Sequence, residues 1–141
     1  MGYDVRREYL DIIAGKICVR DFMGALENVN RLLGYDPEFA EAHYFRGICN
    51  YSLENYPESV RDYQKALKYE PNHAKARFNL GVSRYAQGLL EEALFNVIVA
   101  YQIFKKNDDQ SGMEKCRETA EALKSEMGGV VDIAELGGLT P

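Results

Sequence analysis

The sequence predicts an all-α fold of seven helices, arranged mainly as antiparallel pairs. Residues of similar size and polarity recur every 34 positions. Each period holds two apolar stripes with the helical spacing of about 3.6 residues. Acid–proline pairs also stand 34 positions apart, at Asp36-Pro37 and Glu70-Pro71. Together these observations indicate a stack of helical hairpins.

The six paired helices follow from the stripes and the prolines. The first helix of each pair is predicted near residues 6–19, 40–53 and 74–87, and the second near 22–34, 56–69 and 90–104. Pro37 and Pro71 lie just past second helices, where a residue without an N–H stops the next turn. Pro57 fits the first turn of a helix, where that donor is not needed.

A seventh helix is predicted over residues 109–127, as a cap on the open end of the stack. Its apolar residues are spaced by three and four: Met113, Cys116, Ala120, Leu123 and Met127. Four acidic residues are expected on its solvated side: Glu114, Glu118, Glu121 and Glu126. Gly128-Gly129 is predicted to end the helix. Residues 128–141 are interpreted as a flexible tail, whose apolar segment 130–136 either frays or docks on its own chain or a neighbour.

These repeats resemble the tetratricopeptide repeat family. The residues that carry the resemblance are Asp21-Phe22, Ala25-Leu26 and Asp36-Pro37 in the first copy, Gly47, Tyr56, Ser59, Tyr63, Ala66 and Pro71 in the second, and Leu80-Gly81, Ala93 and Ala100 in the third. The resemblance implies a right-handed superhelix with repeats at 6–39, 40–73 and 74–107, after an N-terminal extension at 1–5. Lys16, Asn50 and Arg84 depart from the family, because they occupy a position that is usually apolar. The interhelical contact expected there is therefore in doubt.

Charge and hydropathy exclude several classes of partner. The net charge is −5, and residues 107–141 carry eight acids and three bases, whereas residues 1–106 carry 14 of each. Nucleic acids and anionic membranes call for clustered Lys and Arg, so neither is expected as a partner. The sequence has no uncharged apolar stretch of about 18 residues and no visible signal peptide. We therefore expect no membrane insertion and a cytoplasmic location.

The sequence shows no pattern typical of catalysis, a metal site or a cofactor. His43 and His73 lack metal-ligand spacing and are predicted on a helix surface or in a loop. Cys18, Cys49 and Cys116 are interpreted as reduced, partly buried thiols, because three distant cysteines suit no disulfide framework. We predict that the protein is not an enzyme. A thiol reaction at Cys18 or Cys49 is the one catalytic alternative left open.

Each first helix carries a second apolar stripe, in addition to one, such as Tyr9, Ile12 and Ile13, that can face its partner helix. In the tetratricopeptide family the first helices line a concave groove, so the resemblance implies a peptide-binding groove here. Its candidate residues are Leu10, Ala14 and Ile17; Tyr44, Phe45, Ile48 and Tyr51; and Lys75, Phe78, Asn79, Val82 and Tyr85. The alternative interpretation is that these stripes belong to the core.

Carboxylate recognition is disfavoured. Some members of the family hold the C-terminal carboxylate of heat-shock chaperones with Lys, Arg and Asn side chains on the groove helices. The matching positions here are Leu10, Ala14, Phe45, Lys75 and Asn79. Of these only Lys75 is a cation, and a carboxylate buried without partners is costly.

The sequence thus predicts a non-catalytic module that binds an apolar or amphipathic segment of another protein in the groove. An adaptor, a co-chaperone or an assembly factor would all fit. One alternative is a structural protein that self-associates into a homo-oligomer through its tail or an edge repeat. Another is a dedicated chaperone of one client protein.

Overall fold

A computed structural model describes residues 4–129, and residues 1–3 and 130–141 lie outside the described part. The helices are α1 (Val5–Cys18), α2 (Phe22–Tyr35), α3 (Ala40–Ser52), α4 (Tyr56–Tyr69), α5 (Ala74–Ala86), α6 (Leu90–Lys106) and α7 (Gln110–Glu126). The predicted all-α class with seven helices is confirmed. Three helix pairs are followed by one further helix. No helix between residues 4 and 129 is long and apolar enough to cross a membrane.

The helix ends follow from local chemistry. Asp21 and Asp109 accept backbone N–H groups in the first turns of α2 and α7, each at 2.9 Å. Five helices are followed, two residues past their last residue, by a residue with positive φ: Arg20, Glu54, Gly88, Asp108 and Gly128. In each case the N–H of that residue and the N–H that follows it bond back to carbonyls of the last turn, which is the Schellman arrangement. The predicted end of α7 at Gly128-Gly129 is confirmed.

The first compact unit runs to Pro71 and contains α1 to α4. Ile13 of α1 packs with Ala25, Val29 and Leu32 of α2, and these four side chains are fully buried. Ile12, expected in the same inward stripe, is 41% exposed. Val60, Tyr63, Ala66 and Leu67 of α4 are also buried.

The second compact unit begins at Asn72 and contains α5, α6 and α7. Its core is built around α6, which packs against both α5 and α7. The predicted apolar face of α7 is confirmed, since Met113, Cys116, Ala120 and Leu123 are buried against the core. The four acids predicted on the outer side of α7 are all exposed.

Candidate peptide-binding surface

Helix α3 has two different apolar sides. One side is buried in the first unit and includes Ala42, Gly47 and Cys49. Gly47 lies against the ring of Tyr63, and a side-chain carbon added to Gly47 would be 2.5 Å from Cε1 of that ring. The lack of a side chain therefore permits the close approach of α3 and α4, as the sequence predicted.

The other side of α3 is only half-buried. It consists of Tyr44, Ile48 and Tyr51, which we call the α3 stripe. The Tyr44 ring is 6.2 Å from that of Tyr63, and the Tyr51 ring is 5.4 Å from that of Tyr56. Both contacts are tilted and lie within the favourable range for aromatic pairs. Rings held in this way present a preordered aromatic surface at little entropic cost.

The Tyr51 hydroxyl stays protonated at neutral pH. Partial burial, and to a smaller extent the neighbouring Tyr56, raise the pKa of Tyr51 above its usual value. A neutral phenol keeps both a donor and an acceptor available. The α3 stripe therefore combines apolar rings with polar tips.

The remaining candidates of the first unit lie closer to the core. Leu10 and Ile17 of α1 and Phe45 of α3 are half-buried and pack against the cluster around Ile13. Ala14 is also half-buried. The accessible part of the predicted surface in this unit is thus centred on the α3 stripe, with the α1 residues at its side.

In the second unit, the candidate residues on α5 differ in exposure. Lys75 is exposed, Asn79 and Val82 are half-buried, and Tyr85 is 44% exposed. Phe78 departs from the prediction of a groove-lining ring, because only 6% of it is exposed and it belongs to the core. The capping helix explains this burial, since the ammonium of Lys115 on α7 lies 4.9 Å from the centroid of the Phe78 ring.

Two residues of α7 that the sequence analysis did not assign to the surface contact the α5 candidates. One is Lys115, over Phe78. The other is Glu126, whose Oε1 accepts a hydrogen bond from the Tyr85 hydroxyl at 2.5 Å. This bond, together with the negative charge, raises the pKa of Tyr85. Residues 115 and 126 share a helix face, because eleven residues make about three turns. This spacing is the feature of the sequence that could have predicted that both residues lie on the same side of α7.

Comparison with known proteins identifies the repeats. A model of the TPR repeat matches residues 50–88, and a second, described as the tetratricopeptide repeat, matches residues 19–62. The chain belongs to the tetratricopeptide repeat family. No curated protein sequence matches the chain closely enough to count as a relative.

Solved tetratricopeptide repeat structures share this fold at low sequence identity. The TPR2B domain of yeast Sti1, solved as a complex with pHsp70, is 17% identical, with 86% of this chain and 97% of that one covered and a TM-score of 0.81. The translocator chaperone SycD of Yersinia enterocolitica is 14% identical, with coverages of 89% and 96% and a TM-score of 0.83. PcrH, in complex with the chaperone binding region of PopD, is 15% identical, with coverages of 89% and 97% and a TM-score of 0.82.

The departures from the tetratricopeptide pattern have a structural explanation. Each second helix buries a polar residue at the same repeat position, and these three residues are 34 positions apart: Asn28, Asp62 and Asn96. Lys16 donates to Asn28 at 2.6 Å, and Asn50 donates to Asp62 at 2.7 Å. The contact that was in doubt is therefore polar in the first two repeats. The sequence contained this signal, because the polar residues on both sides recur with the same period.

The polar contact is extended in the second repeat and replaced in the third. Arg46 Nε donates to Asp62 Oδ1 at 2.8 Å, which makes Asp62 the acceptor of two side chains. In the third repeat the guanidinium of Arg84 lies 3.4 Å from the carboxylate of Glu92 instead. Asn96 there donates to the backbone carbonyl of Glu92.

The prediction that both histidines lie on a helix surface or in a loop was wrong about their exposure. His43 is 4% exposed; its ring stacks on Tyr69, and its Nε2 donates to the Pro37 carbonyl at 2.8 Å. His73 does precede a helix, but it is buried, and its Nδ1 accepts the N–H of Ala76. Each ring has a backbone partner, which lowers the cost of burying its polar atoms.

The cysteines divide into two kinds. Cys49 and Cys116 are buried free thiols, as predicted, whereas Cys18 is exposed, contrary to the prediction. Burial raises the pKa of Cys49 to about 11 and that of Cys116 to about 12. Since the thiolate is the reactive form, both buried thiols are poor nucleophiles at neutral pH.

Proposed function

We propose that this chain is a non-catalytic protein-interaction module that binds an apolar or amphipathic segment of a partner protein on its first helices. One observation carries the proposal. The α3 stripe leaves two tyrosines and an isoleucine half-exposed, although α3 already has a separate buried side. A second apolar side on a helix that needs only one calls for a further binding partner.

The chemistry of the stripe favours a peptide or a helix as the ligand. Tyrosine offers a large ring, a polar tip and few rotatable bonds, which is why it is common where proteins bind peptides. The rings of Tyr44 and Tyr51 are already held by Tyr63 and Tyr56, so binding would order few additional groups. Affinity would come mainly from apolar burial, at about 25 cal/mol per Å².

An apolar ligand fits this surface better than a terminal carboxylate. Leu10 and Phe45, at two of the positions where the family's carboxylate clamp has polar residues, pack on an apolar cluster. Among the five positions that match the clamp, Lys75 is the only cation, and it is exposed. Among similar structures, Sti1 is in complex with pHsp70 and PcrH with the chaperone binding region of PopD. Both neighbours are thus bound to another protein, and we infer that this chain also binds another protein, as an assembly factor or chaperone.

A library of random peptides tests the proposal and requires no chosen partner. The full chain would be used to select binders from displayed peptides of about 15 residues, and the best peptide would be measured by fluorescence anisotropy. We expect selected peptides to be rich in aliphatic and aromatic residues. Loss of one buried aromatic contact corresponds to roughly 10-fold or more in Kd, so Tyr51→Ala should weaken binding by at least that factor.

Tyr35→Ala is the matched control, because Tyr35 is 66% exposed at the end of α2, outside the stripe. Circular dichroism would verify that both variants remain folded. The proposal fails if Tyr44→Ala and Tyr51→Ala bind the selected peptide as tightly as Tyr35→Ala does. It also fails if selection returns only peptides that bind through a terminal carboxylate.

A further inference from the structure

In the second unit, α5 and α7 each pack against α6. Contacts join them at two points, Lys115 with Phe78 and Glu126 with Tyr85. The surface between these points, which we call the α5–α7 face, is formed by Val82 and Tyr85 on α5 and by one face of α7. Lys115 and Glu126 lie on that face of α7, and Thr119 and Ala122 share it by helical spacing. Ala122 is exposed and Val82 is half-buried, so the middle of this face is open and apolar.

The two ends of the α5–α7 face differ in charge. Lys115 lies at one end, and the exposed Lys75 is one turn away from the Phe78 ring that Lys115 covers. Neither lysine forms an ion pair within residues 4–129. Glu126 lies at the other end, on the Tyr85 hydroxyl. A complementary ligand would be apolar, with a carboxylate at the Lys115 end.

The chain itself continues from the Glu126 end of this face. Helix α7 ends at Glu126 and is closed by Gly128 and Gly129, both with positive φ, at 78° and 71°. The N–H of Gly129 bonds to the Lys124 carbonyl at 2.9 Å, which completes a Schellman motif. Such a motif turns the chain away from the helix axis, and glycine adopts positive φ more readily than any other residue.

The next seven residues have the composition that the face calls for. Val130–Leu136 reads Val-Val-Asp-Ile-Ala-Glu-Leu, which is apolar with two carboxylates and no cation. The distance along α7 from Glu126 back to Lys115 is about 16 Å. Seven extended residues span about 23 Å, so Glu135 is within reach of Lys115.

We propose that Val130–Leu136 folds back along the α5–α7 face, with its apolar side chains against Val82 and Tyr85 and the Glu135 carboxylate at Lys115. The segment then competes with a partner for Val82 and Tyr85 of α5. This role as a competitor rests on the proposed function, whereas the docking itself does not require any partner.

The absence of tryptophan from the sequence permits a direct measurement. The substitution Ile133→Trp in the full chain introduces a single indole into the segment. We expect its emission maximum to lie at a shorter wavelength than in the same protein unfolded in urea, independently of protein concentration. Adding Ala122→Arg, which fills the open middle of the face, should move the emission toward the unfolded value. Ser125→Arg, on the exposed outer side of α7, is the matched control and should change nothing.

The charge pair is tested by reversal. Lys115→Glu should shift the I133W emission to longer wavelength, and the further substitution Glu135→Lys should restore it. Emission at the unfolded wavelength in the starting variant overturns the proposal. An emission maximum that Ala122→Arg does not change also overturns the proposal, because the segment would then dock elsewhere. An emission maximum that changes with protein concentration overturns it too, because the segment would then dock on a second copy.

The same variant separates this inference from the proposed function. A library-selected peptide that binds through Tyr51 while the indole stays solvent-exposed would leave the proposed function standing and overturn the docking. Conversely, a docked indole in a chain for which no apolar peptide can be selected would support the docking alone. A peptide that binds α5 without displacing a docked indole would overturn the role of the segment as a competitor.

Discussion

The hairpins α3–α4 and α5–α6 occupy equivalent positions 34 residues apart, yet their first helices differ in exposure. Tyr44 of α3 is half-buried beside Tyr63 of its own hairpin. The equivalent Phe78 of α5 is 6% exposed and belongs to the core that α6 and α7 complete. The difference shows that a repeated apolar position becomes surface or core according to which helix lies beside it, and not according to the repeat pattern.

The largest expected effect tests this difference directly. Phe78→Ala removes a buried ring and leaves a cavity under Lys115, so the free energy of unfolding should fall by about 3–4 kcal/mol. Tyr44→Ala should cost less than half of that, because part of the Tyr44 ring already faces solvent. Urea denaturation followed by circular dichroism measures both values.

Phe95→Ala is the control for loss of an exposed ring. Phe95 is 61% exposed on α6 in the same unit, so its substitution should change the unfolding free energy by no more than about 0.5 kcal/mol. If Phe78→Ala cost no more than Phe95→Ala, the Phe78 ring would not be part of the core and the two hairpins would be alike.

The sequence predicted the fold well because the fold depends on features with a strict period. The helix pairs, the proline positions and Gly47 against Tyr63 all follow from spacing and size. Phe78 and Lys115 show where such reasoning stops. Whether a stripe is covered depends on contacts between helices far apart in sequence, and the pattern of one helix contains no information on its neighbour.

A second difference between the hairpins lies in the buried polar position. Asp62 on α4 is a carboxylate that accepts from Arg46 and Asn50 at 2.8 and 2.7 Å. The equivalent Asn96 on α6 is an amide that donates to the Glu92 carbonyl and accepts from Arg77 only at 3.5 Å. Asp62→Asn makes the two positions alike. It replaces a charge-assisted acceptor with a neutral group, and we expect a loss of about 1–2 kcal/mol in unfolding free energy.

A double-mutant cycle separates the ion pair from other effects. With Arg46→Met in the background, Asp62→Asn should cost clearly less than in the wild-type chain. Glu58→Gln is the surface control, because Glu58 and Arg61 form an exposed pair whose loss is worth at most about 0.5 kcal/mol. Equal costs of Asp62→Asn in both backgrounds would contradict an energetic role for the Arg46 pair.

The smallest expected effect concerns another pair of equivalent positions, His43 on α3 and Arg77 on α5. Burial lowers the pKa of both side chains. Arg77 stays protonated over the accessible pH range, whereas the pKa of His43 lies below the ordinary imidazole value of about 6.5. For His43, burial is the main cause, and the positive charges of Arg46 and Lys65 lower its pKa further, against the opposing effects of Pro37 and Asp62.

The sign of the pH dependence follows from this lowered pKa. Below about pH 6.5 the unfolded chain binds a proton at His43 before the folded chain does, so acidification favours the unfolded state. The unfolding free energy should therefore fall as the pH is lowered from 7.5 toward 5.5, and the fall should be smaller in His43→Gln, which keeps a donor for the Pro37 carbonyl. His73→Gln removes the only other histidine of the sequence. In this variant the contribution of His43 to the slope of unfolding free energy against pH should be retained. If the unfolding free energy fell equally with pH in the wild-type chain and in His43→Gln, the buried ring would not resist protonation. The α3–α4 hairpin would then be no more sensitive to pH than α5–α6.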